Sequence, residues 1–399
     1  MRLLDVTEFY SPWGGGVRTY LTEKARWVAP QANLEHAIVL PGERDHVDVW
    51  QRSRVYFVRG PAVPASPGYH FLIARNKLAE IVRLERPDVI EVGSPYLAPW
   101  LARRAARRAR SPSRLVAFVH ENPRLYAARA PRPIRGALDG LLARYLGAAH
   151  RDFALAVAAS PTNLAGFGVD RTAVVPLGVD TVLFRPAWRD PAWPQETGAW
   201  PGQPVALYVG RLSAEKGLNV VLEALPEVHT RVGMRLVVIG EGHLRPRLER
   251  LAGERPAMLG VLPFEPDRGR LARAYASADL FLAPCPYETF GLAALEAMAS
   301  GLPVVGVAAG GVGRLLFGAD WGRTYLVGDH GDCARAVLEL AALDLRELGT
   351  HARAAAVGSY GWDRTFKELD GLYQRLLSEA PNPARVRGTP STPAPRISV

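Results

Sequence analysis

Ala278-Asp-Leu-Phe-Leu-Ala-Pro-Cys-Pro-Tyr-Glu-Thr-Phe-Gly-Leu-Ala-Ala-Leu-Glu-Ala-Met-Ala-Ser-Gly-Leu-Pro-Val-Val-Gly306 is the stretch from which this chain is best read. Leu280–Ala283 is a short apolar run of strand type, and Pro303–Val307 is another. A proline-rich loop and an apolar helix lie between them, which makes a strand–loop–helix–strand unit. Such units build parallel sheets with helices on both faces. Two carboxylates punctuate the segment. Glu288 lies in the loop after the first strand, where the amino terminus of the coming helix points N–H groups outward and favours an anion. Glu296 lies eight residues further on, flanked by Leu292, Leu295 and Met298. Its carboxylate is therefore expected to be partly buried. A buried carboxylate needs a partner, and the two hydroxyls of a ribose would supply one.

Reading outward, further strands are expected at Val205–Val209, Leu236–Ile239 and Met258–Leu259, with helices between them. The first half repeats the alternation. Strands are expected at Leu3–Val6, Ala37–Leu40, Val55–Val58, Val89–Val92, Leu115–Val119 and Ala154–Ala158. Helices are expected at Thr19–Val28, Phe71–Leu84, Pro99–Arg110 and Pro133–Ala149. The fold class is α/β, with two consecutive doubly wound Rossmann-like domains whose ligand loops sit at the carboxyl ends of the strands. The divisions are 1–185 for the first domain, a Pro- and Trp-rich linker at 186–204, 205–360 for the second domain, a terminal helix at 361–379 and a disordered tail at 380–399.

Three other sites carry candidate chemistry. In Tyr208-Val-Gly-Arg-Leu-Ser-Ala-Glu-Lys-Gly217, Arg211 and Lys216 occupy a loop at a strand's carboxyl end. Two cations and the next helix's amino terminus make a diphosphate clamp. Lys216 is one of four lysines in an arginine-dominated chain, a hint that a compact ammonium is wanted there. Near the amino terminus, a strand runs into Trp13-Gly-Gly-Gly-Val and then a helix. Gly15 and Gly16 allow backbone N–H groups to approach a ligand closely; the G-x-G-x-x-G dinucleotide fingerprint is absent. His120 ends the strand Val116-Ala-Phe-Val of the first domain and faces the interdomain cleft of this architecture; Glu121 and Asn122 are either ligands for acceptor hydroxyls or ordinary loop residues.

Composition narrows the class. Hydrophobic residues make up 48% of the chain and charged residues 22%, as in ordinary globular proteins. Cys285 and Cys333 are too few for a disulfide framework or metal cluster. No signal peptide or membrane-spanning run is evident, so a cytoplasmic location is expected. The net charge of +10 falls entirely in the first half: residues 1–185 hold 26 Lys+Arg against 16 Asp+Glu, and the remainder is balanced. Such asymmetry suits an anionic partner. Arg103, Arg104, Arg107 and Arg108 fall on one face of the Pro99–Arg110 helix, so peripheral contact with the inner face of an anionic membrane is an expectation, with a solvated arginine face as the alternative. No nucleic-acid partner is expected.

The motifs occur together in a recognisable order. The glycine loop, Val175-Pro-Leu-Gly-Val-Asp180, Gly-Arg…Glu-Lys-Gly, Val238-Ile-Gly-Glu-Gly242 and the two glutamates eight apart resemble the retaining GT-B glycosyltransferases of family 4. The resemblance implies an acceptor-binding first domain facing, across a cleft, a second domain that binds a nucleotide sugar. It implies Arg211 and Lys216 on the diphosphate, Glu296 on the ribose, and Glu288 on the donor sugar. The backbone at Val261 and Leu262 would meet the base; Gly15, Gly16, Phe290, Gly291 and Leu292 complete the donor site, and His120 approaches the reaction centre. It further implies a hexosyl transfer from GDP-mannose or a UDP-hexose to a glycan or glycolipid hydroxyl, by front-face substitution. No cofactor or metal is expected, since the chain has no Asp-x-Asp triplet. One departure is Arg314 in Gly310-Gly-Val-Gly-Arg, where relatives carry an acid. A GT-B nucleotide-sugar epimerase and a non-catalytic binding subunit are the alternatives.

Overall fold

A computed structural model describes residues 1–12, 15–64, 68–127 and 130–379. The tail at 380–399, and Trp13 and Gly14 of the glycine loop, lie outside these residues. The first sheet holds β1 (Arg2–Val6), β2 (Glu35–Gly42), β3 (His46–Trp50), β4 (Ser53–Arg59), β5 (Val89–Val92), β6 (Arg114–Val119), β7 (Leu155–Ala158) and β8 (Thr172–Val174), in the order β3-β4-β2-β1-β5-β6-β7-β8. The second holds β9 (Val205–Val209), β10 (Arg235–Ile239), β11 (Leu259–Leu262), β12 (Leu280–Ala283), β13 (Val304–Val307) and β14 (Gly322–Tyr325), in the order β11-β10-β9-β12-β13-β14. Every pairing is parallel except β3 with β4. Parallel strands are covered on both faces, so they read as continuous apolar runs; all of β12 and β13 is buried. Strand order reverses at β1 and at β9, which opens a crevice at the carboxyl ends of β1/β5 and of β9/β12.

Three strands, β3, β8 and β14, were not expected. All lie at sheet edges or one face of them is polar. In β3, Val47 and Val49 are 59% and 61% exposed, and Asp48 accepts hydrogen bonds from the Val49 amide and the Trp50 indole. A short charged edge strand resists pairing with another chain, and it lacks the apolar signal that identifies interior strands.

The 186–204 segment is not a free linker. Trp193 and Ala199 are buried. Arg189 donates to Asp279 at 2.8 Å, and Arg273 binds Asp190 at 2.6 Å and Glu196 at 2.7 Å. Its tryptophan and paired charges strap it onto the Arg268–Ser277 helix.

The chain passes between the domains near Val179 and again near Tyr360, and the two crossings join: Val179 N–H donates to the Tyr360 carbonyl at 2.7 Å. The Trp362–Ser378 helix then lies on the Gly16–Val28 helix of the first domain. Phe366 sits 5.6 Å from Tyr20 and 5.7 Å from Trp27, ring to ring, and the Trp27 indole donates to Asp363. Burying Phe366 contributes about 2–3 kcal/mol. One apolar cluster consequently runs from Tyr20 and Phe118 through Phe184 and Trp362 to Phe281 and Leu295.

Under that helix lies a buried ionic network. Lys24 Nζ is 2.8 Å from Asp5 Oδ1 and 2.7 Å from Glu91 Oε2, with all three side chains 3% exposed. His36 Nε2 contacts the other Asp5 oxygen at 2.9 Å, and its Nδ1 is 2.8 Å from Ser53 Oγ. Tyr20 donates to Glu91 at 2.9 Å, and so does Tyr373 from the terminal helix.

The Ala98–Ala109 helix corrects the expected four-arginine face. Arg103 is buried, donating to Asp152 at 3.0 Å and to the Ala148 carbonyl at 2.9 Å. It lies on the side packed against the Arg132–His150 helix, so only Arg104, Arg107 and Arg108 remain outside, and Arg107 is itself paired with Asp152 at 2.5 Å.

Candidate active site

The reversal at β9 and β12 brings two loops together. The loop after β9 carries Lys216 and the loop after β12 carries Glu288. Lys216 Nζ and Glu288 Oε1 meet at 2.5 Å, with side chains 20% and 31% exposed. Burial works against the ammonium, but the Glu288 carboxylate holds it above its ordinary range. The pair borders an open recess of about 350 Å³ lined by Tyr208, Gly210, Cys285, Gly291, Ala294 and Val312. Burial pushes the Cys285 thiol up to about 11, so it stays protonated and inert at neutral pH. The Tyr208 hydroxyl donates to the Arg211 carbonyl at 3.0 Å and shapes the loop. Arg211 itself stands at the mouth, 61% exposed and 3.6 Å from Glu215, apart from the Lys216–Glu288 pair.

The Leu292–Ala299 helix begins at this recess. Gly291 has φ +96°, a left-handed conformation that only glycine adopts readily, and its Cβ would meet Val312 at 2.9 Å. No side chain caps this helix, which leaves its first N–H groups without a side-chain partner. The Gly16–Val28 helix of the first domain is likewise uncapped. A Cβ on Gly16 would stand 3.2 Å from Leu292 Cδ1. Gly16 thus meets Leu292 across the domain boundary, so the amino-terminal ends of the two helices approach one another. Behind them, the Gly311 amide donates to the Glu288 carbonyl at 2.6 Å and holds the Glu288 loop. Arg314, near the far end of the short Gly310–Leu315 helix, is exposed.

Glu296 projects from the same helix, with its side chain 16% exposed. The Tyr275 hydroxyl donates to Oε2 at 3.1 Å, and Arg268 approaches Oε1 at 3.7 Å. Burial pushes its carboxyl up to about 7, against the opposing pull of Arg268 and Tyr275. Sequence reasoning foresaw the burial but not these partners. Tyr275, set in the run Ala274-Tyr-Ala, carried a signal as the large residue of a small-residue helix face; Arg268 carried none. Val261 and Leu262 end β11 at the edge of the same sheet, half-buried. Phe290 is buried, 5.9 Å from the Tyr360 ring.

In the first domain, His120 follows β6. Its ring lies 4.9 Å from Tyr20 and 4.6 Å from Phe118, and a Cβ on Gly93 would touch its Cδ2 at 3.3 Å. Burial, then the nearby Lys24 charge, lowers its pKa to about 3. The imidazole is therefore neutral and suited to hydrogen bonding rather than to carrying charge. Glu121 accepts from the Tyr96 hydroxyl at 3.0 Å. Of the two readings of Asn122, the structure favours the loop role. Asn122 is buried, its amide donates to the Asn163 and Ala165 carbonyls and accepts from the Arg124 amide, so it fastens the loop. Glu8, not foreseen, lies in the loop after β1 with its carboxylate on Ser94 Oγ at 3.0 Å and the Leu97 amide at 3.1 Å. Among the described residues no His/Cys/Asp/Glu cluster suited to a metal occurs, and no helix is long and apolar enough to cross a membrane.

Two consecutive doubly wound α/β domains make the GT-B architecture. Residues 203–342 match the family described as Glycosyl transferases group 1, and residues 14–183 match Glycosyltransferase Family 4. The chain is 33% identical over 320 residues to a GDP-mannose-dependent alpha-(1-6)-phosphatidylinositol dimannoside mannosyltransferase of Mycobacterium tuberculosis, covering 76% of this chain and 79% of that protein. It is 31% identical over 340 residues to a GDP-mannose-dependent alpha-mannosyltransferase of Mycolicibacterium smegmatis, covering 84% and 85%. The fold is similar to sucrose-phosphate synthase of Thermosynechococcus elongatus, with a TM-score of 0.75 at 20% identity over 95% of this chain and 100% of that one. The chain belongs to glycosyltransferase family 4 and is a glycosyltransferase.

Proposed function

We propose that the enzyme moves a hexosyl group from a nucleoside diphosphate sugar to a hydroxyl of a glycan or glycolipid, with retention of configuration and without a metal ion. The observation that carries this reading is the Lys216–Glu288 pair, in the loops that precede the uncapped Leu292–Ala299 helix and one helix turn and more from the half-buried Glu296. In the reading, the diphosphate displaces Glu288 from Lys216, and Arg211 swings in from the mouth. Lys216 and the helix N–H groups take up the charge that develops on the leaving phosphate, the task a metal performs elsewhere. Glu296 accepts both ribose hydroxyls, Val261 and Leu262 line the base, and Glu288 turns to the sugar together with Phe290, Gly291 and Leu292. The neutral His120 hydrogen-bonds the sugar near the anomeric carbon. No side chain is placed as a nucleophile; the departing phosphate accepts the acceptor's proton as the new bond forms on the same face. The mannosyl relatives favour GDP-mannose as donor, with a UDP-hexose as the competing case.

The test is a thermal-shift screen against GDP, UDP and ADP in EDTA, followed by NMR of the product's anomeric configuration. Stabilisation by one nucleotide without metal and a retained anomer are expected. An inverted product, or activity that requires added metal, would overturn the mechanism.

A lipid-linked acceptor has its own support. Trp100 is 39% exposed and packs 6.5 Å from Tyr145, and Leu97, Ile134 and Leu141 are also exposed on these two helices. With Arg104, Arg135 and Arg144 exposed on the same helices, the first domain presents mixed apolar and basic surface of the kind that rests on anionic lipid. Sedimentation with anionic but not neutral liposomes is expected, and equal partition with both would remove the membrane contact.

A further inference from the structure

Arg268 opens the Arg268–Ser277 helix and is shared by two carboxylates, one from each domain. One terminal nitrogen lies 3.4 Å from Glu23 Oε1 in the Gly16–Val28 helix, and the other lies 3.7 Å from Glu296 Oε1. The guanidinium rests 5.4 Å from the centre of the Phe184 ring, in the crossing segment between the domains. Glu23 is also held by Arg26 at 2.9 Å, and Arg26 reaches Asp180 of the same crossing at 4.0 Å. The charged and titratable groups facing Glu296 are therefore Arg268 and Tyr275 from one helix, Glu23 from the other domain, and Asp180 from the crossing.

We propose that Arg268 is a positioning residue for Glu296, keeping its carboxylate ionised and aimed at the ribose diol, and that Glu23 competes for the same guanidinium and so ties donor binding to the contact between the domains. This rests on the ribose reading of Glu296 given above. A diol is gripped by a carboxylate that accepts from both hydroxyls, and protonation removes one of the acceptors. Without Arg268, Glu296, Glu23 and Asp180 would face one another with only Arg26 to offset them, and like charges at close range favour the protonated form. Without Glu23, the guanidinium belongs to Glu296 alone and the ionised form extends to lower pH. Removing either residue breaks the same bridge between domains, yet the two changes act on Glu296 in opposite directions.

The experiment measures the dissociation constant of GDP, UDP or ADP, whichever stabilises the wild-type protein, from about pH 6 to about pH 9. This range brackets the Glu296 value of about 7. The phosphate ionisation of the nucleotide is common to all variants and cancels in their ratios. Arg268→Gln is expected to bind about fivefold more weakly at neutral pH and about tenfold more weakly at the acid end, the effect of about one unit of pKa, and to recover towards wild type at the alkaline end. Arg268→Lys, which keeps the charge, should fall between the two. Glu23→Gln should bind more tightly than wild type at the acid end. Glu296→Gln should bind weakly with no such pH response. A loss in Arg268→Gln that is the same at every pH, or a loss in Glu23→Gln that parallels it, would overturn the inference while leaving the ribose reading intact. Undiminished affinity in Glu296→Gln, or no nucleotide bound by the wild type, would instead overturn that reading and this inference with it.

Discussion

Each domain sets one lysine among carboxylates, and the two arrangements are built to opposite ends. In the first domain, Lys24 has Asp5 and Glu91 within 2.8 Å, and every remaining oxygen of those carboxylates is met by His36, Tyr20 or Tyr373. Nothing there is left for a ligand. In the second, Lys216 has a single carboxylate partner and both side chains keep contact with solvent, while Glu296 close by has only one hydroxyl bond and a distant arginine. A closed network holds shape; an incompletely satisfied one holds affinity in reserve. Burial alone does not distinguish structural charge from functional charge, whereas counting the unmet hydrogen bonds does.

The comparison is open to attack from either side. Lys24→Met leaves two buried carboxylates without their cation and is expected to cost about 3–5 kcal/mol of stability, read as a lower urea midpoint. An unchanged midpoint would mean that the network is not closed in the sense argued. Lys216→Ala is expected to lower kcat/KM by about 10²- to 10³-fold, with stability altered by no more than about 1 kcal/mol. Comparable losses of stability in both lysine variants would erase the distinction. Tyr373→Phe removes one hydroxyl from Glu91 and is expected to cost about 1–3 kcal/mol, with transfer kinetics unchanged at temperatures where the protein is folded.

The smallest effect concerns pH. The Glu296 carboxyl is raised to about 7, so the folded chain keeps a proton that the unfolded chain releases in the ordinary carboxylate range. Its favourable contribution is present at low pH and is lost as pH rises through about 7. Glu296→Gln should therefore match the wild type near pH 5 and exceed it by on the order of 1 kcal/mol near pH 8, without nucleotide. Melting curves that stay parallel across that range would show that the site is as fully satisfied as the one around Lys24.

The sequence disclosed the second arrangement far better than the first. Lys216, Glu288 and Glu296 stand in strand-end loops and one helix, where local pattern gives position directly. The Lys24 network joins residues 67 and 282 positions apart, a distance that no local pattern spans. A trace of it was nonetheless present. Lys24 follows Tyr20 by four residues and precedes Val28 by four, on the buried stripe of its helix, and the scarcity of lysine that singled out Lys216 applied equally to it. Arg103 was misread and Asn122 stayed open between two roles for the converse reason, since polar residues on an amphipathic helix or a strand-end loop look solvent-facing until the neighbouring Arg132–His150 helix and Asn163 segment are placed. The interior strands were legible from continuous apolar runs. The edge strand β3 was not, because its exposed valines and Asp48 serve an edge rather than a core.

The Trp362–Ser378 helix also has a bearing on how the polypeptide matures. Glu91 acquires its Tyr373 partner 282 residues later in the chain, which at about 5–20 residues per second is a wait of roughly 15–55 s during synthesis. Through that interval the nascent amino-terminal sheet holds Tyr20, Trp27 and the Lys24 network without the helix that covers them. A segment made early is completed by one made 282 residues later, and the interval belongs to any chaperone able to shield that uncovered face.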